Sequence, residues 1–313
     1  MRDSLCRRLS VFLSSAALAM SASLFASAIG SRPLFGQESP PQNKKPAAES
    51  PAVDPSNIAP PTEADLATAR IQFMSTALGR YTVVVPGVDA PLASSASCLR
   101  WNNPVSGTSD GILAIFGETG RPAVIAQFFK TKGGSWVHEF AVTGTDEIEI
   151  LRSGKLYWKP SEFVFAFQDV PDAPEPAKTP ALRLPQMRRI AERFSVTDHH
   201  GFQESQITPT RLRLLTTPLH RYEKPGEILD GALFSFVMGT DPECNLLIEA
   251  QPPTGKDGPP RYRYAFAPMS IYQLDAELDD KPVWTIERRI IFGQNCKKYY
   301  ALTYRPEPGE TVP

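Results

Sequence analysis

Apolar and polar positions along the chain alternate between two periods. From Thr62 to Gly79 apolar residues recur at helical spacing through Leu66, Phe73, Met74, Ala77 and Leu78, behind a Thr62–Asp65 pair that reads as a capping box. Short alternating or apolar segments follow at 81–85, 111–116, 123–129, 135–142, 147–151, 156–158 and 162–168. Gly-rich or polar turns separate several of them, the signature of an antiparallel meander. The second half repeats the order, with a helix over 180–194 behind Thr179 and Pro180, then strand-like segments at 211–215, 232–237, 244–250, 262–267, 271–278, 283–286 and 289–292. Positions correspond as well: Asp110-Gly111 with Asp230-Gly231, Phe140 with Phe266, and Trp158 with Trp284. The pattern predicts an α+β fold of two tandem repeats, each an amphipathic helix followed by an antiparallel β-meander. The repeats span 64–170 and 171–306, with a tail at 307–313.

The N-terminus follows a different rule. Arg2, Arg7 and Arg8 precede an apolar run from Val11 to Phe25, and Ala26-Ser27-Ala28 supplies small residues before a cleavage point. Residues 1–28 therefore read as a signal peptide, and the mature protein as exported, periplasmic or extracellular. Residues 29–63 are rich in proline and poor in large apolar side chains, a composition that stays extended and disordered because it buries too little surface to offset ordering entropy. No second stretch is long enough to cross a membrane. Removing Arg2, Arg7, Arg8 and Asp3 shifts the net charge from −1 to −3, so nothing recruits nucleic acid electrostatically. The partner expected is an extracytoplasmic ligand or envelope component, and no motif calls for a cofactor.

The candidate chemistry is sparse. Gly107-Thr108-Ser109-Asp110-Gly111 matches the nucleophile-elbow string, but an apolar strand leaves it where the mechanism needs a helix. His138 alternates with Trp136 and Phe140, the setting of a hydrogen-bonded core residue. His199-His200 falls in a polar loop without a ligand partner at helical spacing, so no zinc site is expected. Gly239-Thr240-Asp241-Pro242-Glu243 presents two carboxylates at a turn, with Glu249 further along the strand. Such a pair suits acid–base work on a glycosidic bond or calcium chelation, while Asp before Pro is also ordinary turn chemistry. Trp101-Asn102-Asn103-Pro104 has the composition of a sugar-binding surface and equally that of a turn closing a strand. The ligand-binding candidates are thus Trp101, Asn103, His138, Asp241 and Glu243, with no catalytic residue and no metal ligand assigned. Arg183, Arg188, Arg189 and Arg193 give the second helix a basic outer side, read as solvated.

Cleavage leaves Cys98, Cys244 and Cys296, with no Cys-x-x-Cys. Cys244 alternates with Leu246 and Ile248, as a buried thiol would, and Cys98 with Cys296 is the candidate disulfide in an oxidising compartment.

The strings Leu99 to Val105, Gln186-Met187-Arg188, Asp230 to Phe234 and Gly239 to Glu243 resemble those of an uncharacterised family of exported planctomycete-type bacterial proteins. That resemblance covers most of 66–284 and implies export, but brings no activity, cofactor or catalytic residue. The functional expectation is a non-enzymatic binding or structural protein of the envelope or periplasm. The alternative is a hydrolase of envelope or environmental polymers that works through Asp241 and Glu243 with help from His138.

Overall fold

The computed structural model describes residues 60–288 and 299–313, apart from 96, 118, 145, 162–165, 202–203 and 254–257. The expected signal peptide, nearly all of the Pro-rich segment, the strand expected at 289–292 and Cys296 lie outside the described residues.

Helix α1 (Glu63–Leu78) starts where the capping box places it: Thr62 Oγ1 accepts from Asp65 N at 3.2 Å and Asp65 Oδ2 accepts from Thr62 N at 2.9 Å. The strands that follow are β1 (Tyr81–Val84), β2 (Leu99–Asn103), β3 (Thr108–Phe116), β4 (Val124–Lys130), β5 (Trp136–Val142), β6 (Glu149–Arg152), β7 (Lys155–Trp158) and β8 (Gln168–Asp169). Helix α2 (Pro180–Ala191) has Pro180 in its first turn and ends before Phe194, which opens the next strand. The chain continues through β9 (Phe194–His200), β10 (Thr208–Arg211), β11 (Arg213–Lys224), β12 (Ile228–Met238), β13 (Asp241–Gln251), β14 (Arg261–Pro268), β15 (Gln273–Leu278), β16 (Lys281–Ile286) and β17 (Tyr299–Thr303).

These strands form four antiparallel sheets. Two are five-stranded and central, ordered β17-β5-β4-β3-β2 and β11-β12-β13-β14-β8; the smaller ones are β1-β6-β7 and β10-β9-β15-β16. Side-chain alternation gives each central sheet two buried faces. One face of the first meets α1, β1, β6 and β7 through Met74, Val83, Ile112, Ala126, Phe140, Ile150 and Trp158. One face of the second meets α2, β9 and β15 through Met187, Val196, Phe234, Leu246, Phe266 and Leu274. The remaining faces pack on each other through Trp101, Leu113, Ile125, Ala141, Tyr222, Leu233, Leu247 and Ala265.

The expected fold class is corrected by this arrangement. Among the described residues strands account for 49% and helices for 13%, with two α-helices and four sheets in place of two helix-plus-meander repeats. The meander breaks because β1 pairs with β6, drawing β6 and β7 into a sheet apart from β2–β5. The outer strands also cross over: β17 pairs with β5 at Tyr300↔Phe140, while β8 pairs with β14 at Gln168↔Tyr264. Nor are the two tryptophans equivalent, since Trp158 is 1% exposed and Trp284 only partly buried. His199-His200, expected in a loop, belongs to β9, where buried Val196 and Asp198 alternate and the strand pairs with both β10 and β15.

Candidate functional site

Two strings flagged in the sequence meet in space. Strands β12 and β13 are joined by a two-residue loop, Gly239-Thr240, with Gly239 at φ 64°. Thr240 accepts from Asn102 N through Oγ1 at 2.8 Å and donates to Asn102 O at 3.0 Å, which fixes the loop against the end of β2. A Cβ on Gly239 would stand 2.9 Å from Pro104 Cδ, so only glycine lets the two chains approach this closely.

Beyond the loop the ladder skips Glu243: Val237 faces Pro242 and Phe236 faces Cys244. That β-bulge accommodates a proline within a central strand and turns Glu243 toward the neighbouring sheet. Asn103, at the end of β2, places Nδ2 at 3.0 Å from Asp241 Oδ2 and 3.5 Å from Glu243 Oε1. Its own Oδ1 accepts from the backbone of Val105 and Ser106, which locks the amide's orientation.

Other elements bring more polar groups to the same region. Gln127 on β4 donates to Pro242 O at 3.0 Å and to Glu139 Oε2 at 3.4 Å. Asp198 on β9, with no exposed surface, accepts from Ser270 Oγ at 3.2 Å. Burial is the leading influence on all three of the carboxyls Asp198, Asp241 and Glu243. It holds Asp241 and Glu243 well above the usual carboxylate range, against the Asn103 hydrogen bond that lowers Asp241 and the Ser270 hydrogen bond that lowers Glu243, and with the charges of Glu139 and Asp198 on both and of Asp241 on Glu243 adding to the rise. Asp198 is pushed up to about 6. Asp241 keeps some residue surface in solvent, but its carboxyl is packed among protein atoms; Glu243 is 8% exposed. No ion pair joins Asp198, Asp241 or Glu243 to a cation among the described residues. No three Asp, Glu, His or Cys side chains there stand as a metal ion would require.

The far end of the same inter-sheet layer is neutralised. Glu249 on β13, also without exposed surface, accepts from Arg121 Nε at 2.6 Å, Arg263 Nε at 2.9 Å and Tyr222 Oη at 3.0 Å. Both guanidiniums also lie over Phe167, whose ring centre is 4.8 Å from Arg121 Cζ and 4.3 Å from Arg263 Cζ.

The structure thus brings Asn103, Asp241 and Glu243 together and leaves the other candidates apart. Trp101 is 2% exposed over Gly111, within the inter-sheet core, so it is no stacking platform. His138 faces the other side of its sheet, where Nδ1 lies 2.6 Å from Tyr81 Oη, and burial holds it well below the usual histidine range. Cys98 carries a free thiol, pushed up to about 11 by burial, and Cys244 is fully buried as its alternation suggested. The basic side of α2 also departs from expectation: Arg183 is 6% exposed and donates to Asp230 Oδ2 at 3.1 Å and Leu229 O at 3.0 Å, because it anchors the helix to β12. Sequence reasoning missed Gln127, Glu139, Asp198 and Ser270. The available signal was a polar side chain inside a strand with apolar residues on both faces, as for Glu139 in Trp136–Val142.

Comparison with known proteins finds no matching family model, no matching curated protein and no matching solved structure.

Proposed function

We propose that this is an exported, non-enzymatic binding or structural protein of the cell envelope or periplasm. The observation that carries the reading is the burial of its acid–base candidates. Glu243 is 8% exposed within the inter-sheet layer, and His138 faces a different core cluster on the opposite side of β5 from Glu139. A polymer hydrolase needs such groups to converge on an open surface, which argues against the alternative. Export rests on the pattern from Met1 to Ala28 and on the resemblance to exported proteins.

For the ligand we favour an open cleft of about 300 Å³ beside the β3–β4 turn. Val85, Leu92 and Ile228 give it apolar walls, and Arg121, Lys224 and Glu227 place charge at its margin. This mixture, with a volume at the low end for small-molecule sites, suits a modest polar ligand. A Cβ on Gly120, in the cleft wall, meets nothing within 4 Å, so Gly120→Trp adds a bulky side chain at the cleft without a clash at its Cβ. A thermal-shift screen of the protein against glycans, divalent metals and anionic lipid vesicles tests the reading. A compound that raises Tm of the native chain and not of Gly120→Trp supports it; equal shifts in both move the site elsewhere, and turnover of a glycan restores the hydrolase.

A further inference from the structure

The carboxyl cluster at the Asp241 end supports an inference independent of the cleft. Its groups come from both central sheets and from β9: Asp241 and Glu243 from β13, Glu139 from β5, Asp198 from β9, with Asn103 and Gln127 between them. Among the described residues Asp241 and Glu243 have few donors, and the Ser270 hydroxyl that reaches Glu243 also serves Asp198. Asn103 Nδ2 is shared by Asp241 and Glu243, and Gln127 Nε2 by Glu139 and Pro242 O. Meanwhile Gln127 Oε1 and Asp198 Oδ1, on side chains at most 1% exposed, have no partner. Gln127 Oε1 belongs to the amide that bridges Glu139 and Pro242, so this orphaned acceptor sits within the cluster itself. A buried acceptor without a donor costs about 1–3 kcal/mol, and the group that would relieve it here is a hydrogen on a neighbouring carboxyl oxygen.

We propose that this cluster is a proton-binding site: at neutral pH at least one of its carboxyl groups keeps its proton, and that O–H, donated within the cluster, joins β13 to the facing sheet. A protonated carboxyl turns an acceptor into a donor and removes a like charge from beside its neighbours. The titratable groups that face one another are Asp198, Asp241, Glu243 and Glu139, with His199 next to Asp198 and Tyr272 beside them; Arg288 exerts its field on Tyr272. Tyr272 is itself pushed up to about 12, by burial first and then by Asp198 and Glu243, so it stays neutral.

The linkage has a definite sign. Carboxyls whose protons bind more tightly in the folded than in the unfolded chain stabilise fully below the unfolded value of about 4, and that stability is lost as pH rises through the folded value. For Asp198 the loss runs from about 4 to about 6, and for Asp241 and Glu243 it continues above that.

The test is urea unfolding of the full chain from pH 4 to 8, beside the Asp241→Asn/Glu243→Gln double variant. The native unfolding constant is expected to rise about tenfold per pH unit for each proton held, with a shallower rise in the variant. The variant should match the native chain near pH 4 and exceed its stability at pH 8. Parallel curves overturn the proposal. So does calcium or potassium chloride that abolishes the difference at pH 8 where choline chloride does not, because a metal ion then neutralises the cluster. Should the double variant not fold, the infrared carbonyl band of a protonated carboxyl in the native chain at pH 7, diminished in the single variant Glu243→Gln or Asp241→Asn, decides: its absence from the native chain refutes proton storage.

Discussion

At one end of the layer between the central sheets Tyr222 lies over Gly231 and donates to Glu249; at the other Trp101 lies over Gly111 and its Nε1 has no partner. The geometry of the two contacts is nearly the same, since a Cβ on either glycine would stand 2.2 Å from a ring carbon. Their electrostatics are opposite. Glu249 has two guanidiniums and a phenol, whereas Asp241 and Glu243 share the Asn103 amide, with the Ser270 hydroxyl on Glu243 and no cation among the described residues. A buried carboxylate is tolerated where cations accompany it, and where they do not it is held in its neutral form. The same residue class thus serves as a clamp at one end and a reservoir of protons at the other.

Substitutions at the two ends should differ in size and in sign. Glu249→Ala strands Arg121 and Arg263 without their common acceptor, and urea unfolding should register a loss of about 3–5 kcal/mol. Next in size, Gly231→Ala and Gly111→Ala both force a ring to move, for a loss of about 1–3 kcal/mol each by the same measurement. Gly231→Ala should be the worse, because displacing Tyr222 also removes a donor from Glu249; equal losses would mean that hydrogen bond contributes little. Glu243→Gln should act in the opposite direction at pH 8, a gain of about 1 kcal/mol for each pH unit of displaced titration, whereas Glu249→Gln destabilises. A loss at Glu243 would remove the distinction between the ends. The smallest effect belongs to Phe167→Leu, about 0.5–1 kcal/mol from two partly exposed cation–π contacts, with the expected change confined to stability and absent from the pH profile.

The sequence disclosed the elements better than their partners. Thr62 and Asp65 fix the start of α1 because a capping box is local, and the apolar runs at 111–116 and 244–250 mark β3 and β13 because burial on both faces leaves few polar positions. Pairing is not local. Nothing in Tyr81–Val84 says that it joins Glu149–Arg152 in place of Leu99–Asn103, and the crossed β8 and β17 leave no periodic trace. Strand β2 alternates in burial, with Trp101 and Asn103 inward and Arg100 and Asn102 outward, but its second fully buried position is a polar Asn beside another Asn and a Pro, a string with the composition of a turn. The site was half legible for the same reason. Asp241 and Glu243 stand out in one turn-like string, but Glu139 and Asp198 matter only through neighbours brought by tertiary packing.

The crossing of β8 and β17 also bears on the order in which the chain acquires its structure. Strand β5 is made early, yet its outer hydrogen bonds go to β17, and Tyr304 just beyond fills the core beneath α1. A nascent chain that has emerged only through β14 therefore carries an incomplete first sheet with an open edge. Long-range closure of this kind is slow, and it postpones the sealing of that core until the downstream residues arrive. A chain made from its N-terminus onward therefore keeps its upstream half from locking into final form before the downstream half has followed.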